Sequence, residues 1–161
     1  MNYAAIALAL QAKGAQFVIA ICSVGSLKAS LAVGSVVVCD DYYCPWDLRR
    51  VHSDARAHVM PVLSEAVRQV IIDSIRGVGV HPLTHGVYTN AQGPRFETKA
   101  EIRALASVGD VVGMTAAHEA GACIELGLPY GMLSVVDNYA NGVGAPFTVD
   151  EFHAQQAENR A

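Results

Sequence analysis

A chain of 161 residues, 52% hydrophobic and 16% charged, with a net charge of −4, has the size of one domain able to bury a sizeable core. Its eleven basic residues are scattered, so no stripe exists for a polyanion and nucleic acid is not an expected partner. Composition this apolar points to a sheet covered on both faces, a large subunit interface, or both.

The cysteines, Cys22, Cys39, Cys44 and Cys123, form no CxxC pair and lie mostly in apolar runs, as reduced thiols do. Apolar stretches broken by glycine are too short to span a membrane, and Met1-Asn2-Tyr3 is not the basic start of a signal peptide. No membrane partner and a cytoplasmic location are expected.

Residues 2–12 carry alanine, isoleucine or leucine at nearly every position and end at Lys13-Gly14, which predicts a helix. A helix apolar all round should be enclosed on several sides. Residues 17–21 predict a strand that opens into Cys22-Ser23-Val24-Gly25-Ser26. Glycine and hydroxyl residues there suit either a nest of N–H groups for an anion or an ordinary turn. Residues 35–39 predict another strand, closed by an acidic turn at Asp40-Asp41. Residues 42–60 are polar and aperiodic, a long loop holding His52 and His58. Residues 61–76 predict a helix with Leu63, Val67, Val70 and Ile71 on its buried side and Gly77 at its end.

The stretch from His85 to Glu119 organises the rest. Residues 85–89 read as a strand, broken by Gly93-Pro94. Thr98 then stands three residues before Glu101, the capping-box spacing, with Ile102, Leu105 and Val108 at helical intervals and Gly109 as the stop. Residues 111–114 are short, apolar and β-branched, as a buried parallel strand should be. Two strands joined through one helix should lie parallel and open on the same edge, where ligands collect.

A helix over 116–126 follows, stopped by Gly127 and Pro129, and then a strand over 130–137 with Asp137 at its carboxyl end. Residues 138–146 read as a loop, and Thr148 with Glu151 repeats the capping-box spacing to start a last helix. No repeat or linker divides residues 1–161, so a single domain is expected.

Pro82 interrupts the spacing of His81 and His85, so no metal site is expected. No HExxH, P-loop or GxGxxG occurs, and Ser23 lacks a GxSxG setting. What remains is a convergent set: Ser23 and Thr115 just beyond two strands, and Asp137 just beyond a third. Two neutral donors can hold an anion, and a carboxyl group in a dry cleft can protonate a leaving group. The plainer alternatives are a loop cap for Asp137 and a helix N-cap for Thr115.

Four segments now carry a likeness. GPRFETKAE from Gly93, VGMTAAHEA from Val112, VGSL from Val24 and VVDNYANG from Val135 together resemble the methylthioadenosine phosphorylase branch of the purine nucleoside phosphorylases. The alanine-rich helix after Asn2-Tyr3 looks like the stretch before that family's second phosphate-contacting strand. The resemblance implies a three-layer α/β fold, a central mixed twisted sheet flanked by helices, assembled as a homotrimer. It implies phosphorolysis in purine salvage: inorganic phosphate attacks the anomeric carbon of a purine nucleoside and releases free base and a pentose 1-phosphate. Phosphate is the co-substrate, and no metal or organic cofactor is implied.

Carried over by residue, the likeness places Cys22, Ser23 and Thr115 at the phosphate, Met114 beneath the sugar and Phe96 against the purine. Asp137 becomes the catalytic group near N7, with Asn138 and Tyr139 beside the base. His58 would reach into a neighbouring subunit's site. The family also has an upstream glycine-rich turn, an Arg-His pair and a longer carboxyl-terminal helix, so this chain is expected to be the family's domain shortened at both ends. Without that arginine, phosphorolysis is expected to be weak or absent, and a non-catalytic remnant that keeps fold and interface is the alternative. Cys22-Ser23 replaces the family's Thr-Ala or Asn-Ala. Tyr139 stands where aminopurine members place a second aspartate, and the Asn138 amide can donate to a 6-oxo group and accept from N1–H, which predicts a 6-oxopurine preference.

Overall fold

The computed structural model describes residues 1–46, 50–144 and 154. Its elements are α1 (Tyr3–Ala12), β1 (Val18–Ser26), β2 (Val36–Val38), β3 (Asp41–Tyr43), α2 (Glu65–Gly77), β4 (Val87–Asn90), α3 (Lys99–Leu105), β5 (Val111–Gly113), α4 (Ala116–Glu125) and β6 (Tyr130–Tyr139). Among the described residues six strands form one sheet in the order β2-β6-β1-β5-β4-β3. β1 and β6 are parallel, as are β3, β4 and β5, while β1 meets β5 and β2 meets β6 antiparallel. The sheet is therefore mixed, and its direction reverses between β1 and β5.

Helices cover both faces, which is why so apolar a sequence suits this sheet. On one face α4, with α1 outside it, packs over Cys22, Val24, Tyr88, Val111, Tyr130 and Met132. On the other, α2 sets Val67, Ile71 and Ile72 against Val38 and Leu133, and α3 sets Ile102 and Leu105 against Leu27 and Val112. Each large aliphatic side chain so buried contributes roughly 1.5–3 kcal/mol.

The strand-helix-strand unit is as the spacing predicts. β4 and β5 are parallel neighbours, and Thr98 and Glu101 form both halves of the capping box at the start of α3. That helix ends earlier than its apolar pattern suggests, so Val108 lies beyond it and exposed.

Other features differ from the sequence expectation. Residues 22–26 are not a turn. β6 offers β1 a parallel partner from Val18↔Tyr130 to Ser26↔Tyr139, and this ladder overrides the local turn preference, with a register shift between Val24 and Gly25. β6 likewise runs two residues past Asp137. Within the expected 42–60 loop lies the end of β3, an edge strand too short for periodicity to reveal, paired with β4 from Asp41↔Val87. α2 starts at Glu65, because Ser64 accepts from Val67 N at 3.4 Å as its N-cap. Leu63 is buried outside the helix, and Val70 faces solvent. Finally α1 is covered mainly on its α4 side, where Ala7 is buried and Leu10 packs against the core, while Ile6 and Leu8 are 45% and 44% exposed.

The helix expected from Thr148 lies outside the described residues. Among the described residues no helix is long and apolar enough to cross a membrane.

Candidate active site

β5 stops at Gly113 while β1 and β6 continue past it. The β1–β5 ladder holds only Gly25↔Val112 and Ser26↔Val111, so the β1 edge at residues 22–24 borders open space. The chain leaving β5 and the segment leading into α3 close the other sides. The result is a cleft of about 310 Å³, walled by Ser23, Phe96, Glu97, Met114, Thr115 and Asn138 among others. It lies at the carboxyl end of β5 but over the middle of β1, because the two strands run in opposite directions.

Strand alternation sends Cys22 and Ser23 to opposite faces. The Cys22 thiol joins the core beneath α4, and burial, followed by the charges of Glu119 and Cys39, pushes it up to about 12. At neutral pH it is a protonated, inward-facing thiol, so Cys22 meets the cleft through its main chain. Ser23 points the other way and donates its hydroxyl to Asp137 Oδ2.

Asp137 is 5% exposed. β6 advances by two residues, Val136 to Asn138, while β1 advances by one, Val24 to Gly25. Asp137 is the extra residue, and the irregularity turns its side chain toward Ser23. It stands directly behind Ser23, which itself lines the cleft.

Thr115 is the N-cap of α4 but makes no side-chain capping bond. The buried Tyr88 hydroxyl takes that part, accepting from Thr115 N at 3.2 Å and Ala116 N at 3.3 Å. Burial holds the Tyr88 phenol well above its ordinary value of 10.0, so it remains a neutral hydroxyl. Thr115 is one of the residues lining the cleft.

Of the residues singled out in the sequence, Cys22, Ser23, Phe96, Met114, Thr115 and Asn138 share this cleft, and Asp137 is bonded to it through Ser23. Two do not. Tyr139 lies off the wall with its ring beside Gly144, where a Cβ would stand 2.6 Å from Cδ2. His58 is exposed after the short 3₁₀ turn at Ala55–Ala57 and touches the cleft of its own chain nowhere.

Sequence reasoning missed Glu97 and Asn141. Both line the cleft, and Asn141 Nδ2 donates to Glu97 O at 3.0 Å. Glu97 is 9% exposed, and burial raises its carboxyl above the ordinary 4.5. The one available signal was its place between Phe96 and the Thr98 cap; no periodicity marks it. Among the described lining residues none is basic, so an anion here would meet main-chain and hydroxyl donors. No group of His, Cys, Asp and Glu among the described residues could hold a metal ion.

Three layers around a mixed sheet, with hydroxyl, carboxyl, amide and aromatic groups on one half-open cleft, define an α/β protein suited to a small polar ligand with a flat apolar part. Over residues 1–161 the chain matches the Phosphorylase superfamily, and it belongs to that family.

It is 38% identical to a probable 6-oxopurine nucleoside phosphorylase of Archaeoglobus fulgidus, over 89% of this chain and 59% of that protein. It is 38% identical to a probable S-methyl-5'-thioinosine phosphorylase of Methanosarcina acetivorans, over 94% and 60%. With the S-methyl-5'-thioadenosine phosphorylase of Hyperthermus butylicus the identity is 34%, over 99% and 61%. The chain thus spans about three fifths of the length of these relatives. The fold superposes on methylthioadenosine phosphorylase from Schistosoma mansoni in complex with tubercidin with a TM-score of 0.86, covering 99% of this chain and 66% of that one at 24% identity.

Proposed function

We propose that the cleft is the purine nucleoside site of a phosphorylase, which moves a pentosyl group from a purine to inorganic phosphate. The observation that carries this is the convergence of Ser23, Phe96, Met114, Thr115 and Asn138 on one cleft, with Asp137 held behind Ser23. Glycosidic cleavage develops positive charge on the sugar, so it needs an anion on one side and a proton for the departing base on the other. Thr115 and the open β1 edge serve the anion, Asp137 serves the base, Phe96 stacks on the purine and Met114 packs beneath the sugar. Phosphate is the co-substrate in this reading, with no metal or organic cofactor.

A 6-oxopurine suits the wall better than a 6-aminopurine. The Asn138 amide can donate to O6, and Glu97 adds a second acceptor for N1–H. Relatives of both kinds exist, so residue chemistry supports this preference more than kinship does. A cytoplasmic homotrimer accompanies the reading. His58 is exposed beside the exposed apolar residues Val59, Met60 and Val62, a surface suited to contact with another subunit.

A second reading, a cleft that binds purine without turnover, is favoured by the absence of a basic side chain among the described lining residues. Charge-assisted contacts are roughly twice as strong as neutral ones, so phosphate is expected to bind weakly. Base release from inosine, methylthioinosine and methylthioadenosine, each with and without phosphate, separates the cases. On the first reading release of hypoxanthine is slow but phosphate-dependent, and at least tenfold faster than that of adenine from methylthioadenosine. Equal rates refute the 6-oxo preference, and hypoxanthine binding without release selects the second reading.

A further inference from the structure

A hydroxyl has one proton to give. Ser23 gives its proton to Asp137 Oδ2, so it has none left for a ligand in the cleft. Phosphate oxygens call for donors, and a hydroxyl whose proton is committed elsewhere does not meet that need. The geometry around the pair agrees. Ser23 is exposed on the wall, Asp137 lies behind it, and the extra residue in β6 is what turns the carboxylate to this side of the sheet.

Resting on the reading of the cleft as a purine nucleoside site, we propose that Ser23 is a positioning residue for Asp137 on the nucleoside side of the cleft, and not a phosphate ligand. Its hydroxyl fixes the carboxylate's rotamer and passes the orientation of Asp137 to the bound base. Phosphate is left to Thr115 and the main chain at residues 22–24. Alanine at position 23 lacks the donor, whereas threonine restores it on the same carbon.

The test compares the full chain with Ser23→Ala, Ser23→Thr, Asp137→Asn and the Ser23→Ala/Asp137→Asn double variant. Hypoxanthine binding is followed by calorimetry, and inosine phosphorolysis by kcat and by KM for each substrate. A hydrogen bond to a charged group is worth roughly a 10- to 100-fold change in an equilibrium or rate constant. Ser23→Ala is therefore expected to weaken hypoxanthine binding or lower kcat by that factor, with KM for phosphate changed less than twofold. Ser23→Thr is expected to recover most of the loss, and Ser23→Ala to add nothing in the Asp137→Asn background.

A tenfold rise in KM for phosphate in Ser23→Ala, with kcat and base binding intact, overturns the proposal. So does a Ser23→Ala variant that keeps both hypoxanthine binding and kcat at the wild-type values, or one whose effect simply adds to that of Asp137→Asn. A wild-type chain that neither binds hypoxanthine nor releases it from inosine overturns the parent reading, and the proposal falls with it.

Discussion

The Tyr88 hydroxyl lies 2.3 Å from the point where a Cβ on Gly113 would stand, and its ring carbon Cζ lies 2.8 Å from it. β5 must therefore end in a residue without a side chain for Tyr88 to reach the first amides of α4, and the end of β5 is what opens the cleft. Gly113→Ala is expected to cost about 1–3 kcal/mol, as forced overpacking of a core does. Tyr88→Phe leaves the Thr115 and Ala116 N–H groups without their acceptor and is expected to cost about 1–3 kcal/mol. Because removing the hydroxyl relieves part of the clash, urea denaturation of the double variant should show a loss smaller than the sum.

Alkaline pH should weaken the fold through its buried thiols. Burial raises Cys22 and Cys39 from an ordinary 9.0 to about 12. Above pH 9 the unfolded chain releases these protons and the folded chain keeps them, so the unfolded state is favoured increasingly as pH rises toward 12. Stability should be unaffected by these groups below pH 9, then fall by as much as about 1.4 kcal/mol per pH unit for each thiol. Urea midpoints measured at pH 8 and pH 10 check this, and Cys39→Ala, although less stable throughout, should show a shallower decline. Under native conditions iodoacetamide should label the half-buried Cys44 before Cys22, Cys39 or Cys123, which are all buried.

Arg68 pins α2 to the sheet. It is 4% exposed, its Nε donates to Cys39 O at 3.0 Å, and its terminal nitrogens reach Thr84 O and the Glu65 carboxylate. Arg68→Met keeps the apolar stem but strands two carbonyls, for an expected loss of roughly 2–5 kcal/mol. Arg68→Lys should not recover it, because one ammonium cannot span partners arranged for a planar fork. Glu65 is largely exposed, so Glu65→Gln should shift the midpoint only slightly. Thermal melts of the three variants give the ranking.

The cap of α3 offers a smaller, local effect. Thr98 Oγ1 accepts from Glu101 N at 3.2 Å, and Glu101 Oε2 accepts from Thr98 N at 2.7 Å. Thr98→Ala should cost about 1 kcal/mol. Arg95 meets Glu101 from outside and pulls its carboxyl down to about 2, but both groups are exposed, so Arg95→Ala should be close to neutral. Helix loss confined to residues 99–105 in Thr98→Ala is checked by amide exchange.

The amino-acid order by itself determined what depends on near neighbours. The Thr98–Glu101 box, the parallel pair β4 and β5, and the two-sided burial of the sheet follow from spacing and apolar periodicity, and the four family segments held most of the candidate site. Only the tertiary structure decided how those segments meet. Residues 22–26 become strand because β6, more than a hundred residues later, supplies a ladder that no local turn signal can foresee. That pairing turns Cys22 into the core and Ser23 outward, and its extra residue brings Asp137 behind Ser23. Glu97 joins the wall without any periodic mark. Local preference is set by a few residues of backbone geometry, whereas which side of a strand faces a cleft is set by register, and register belongs to the partner strand.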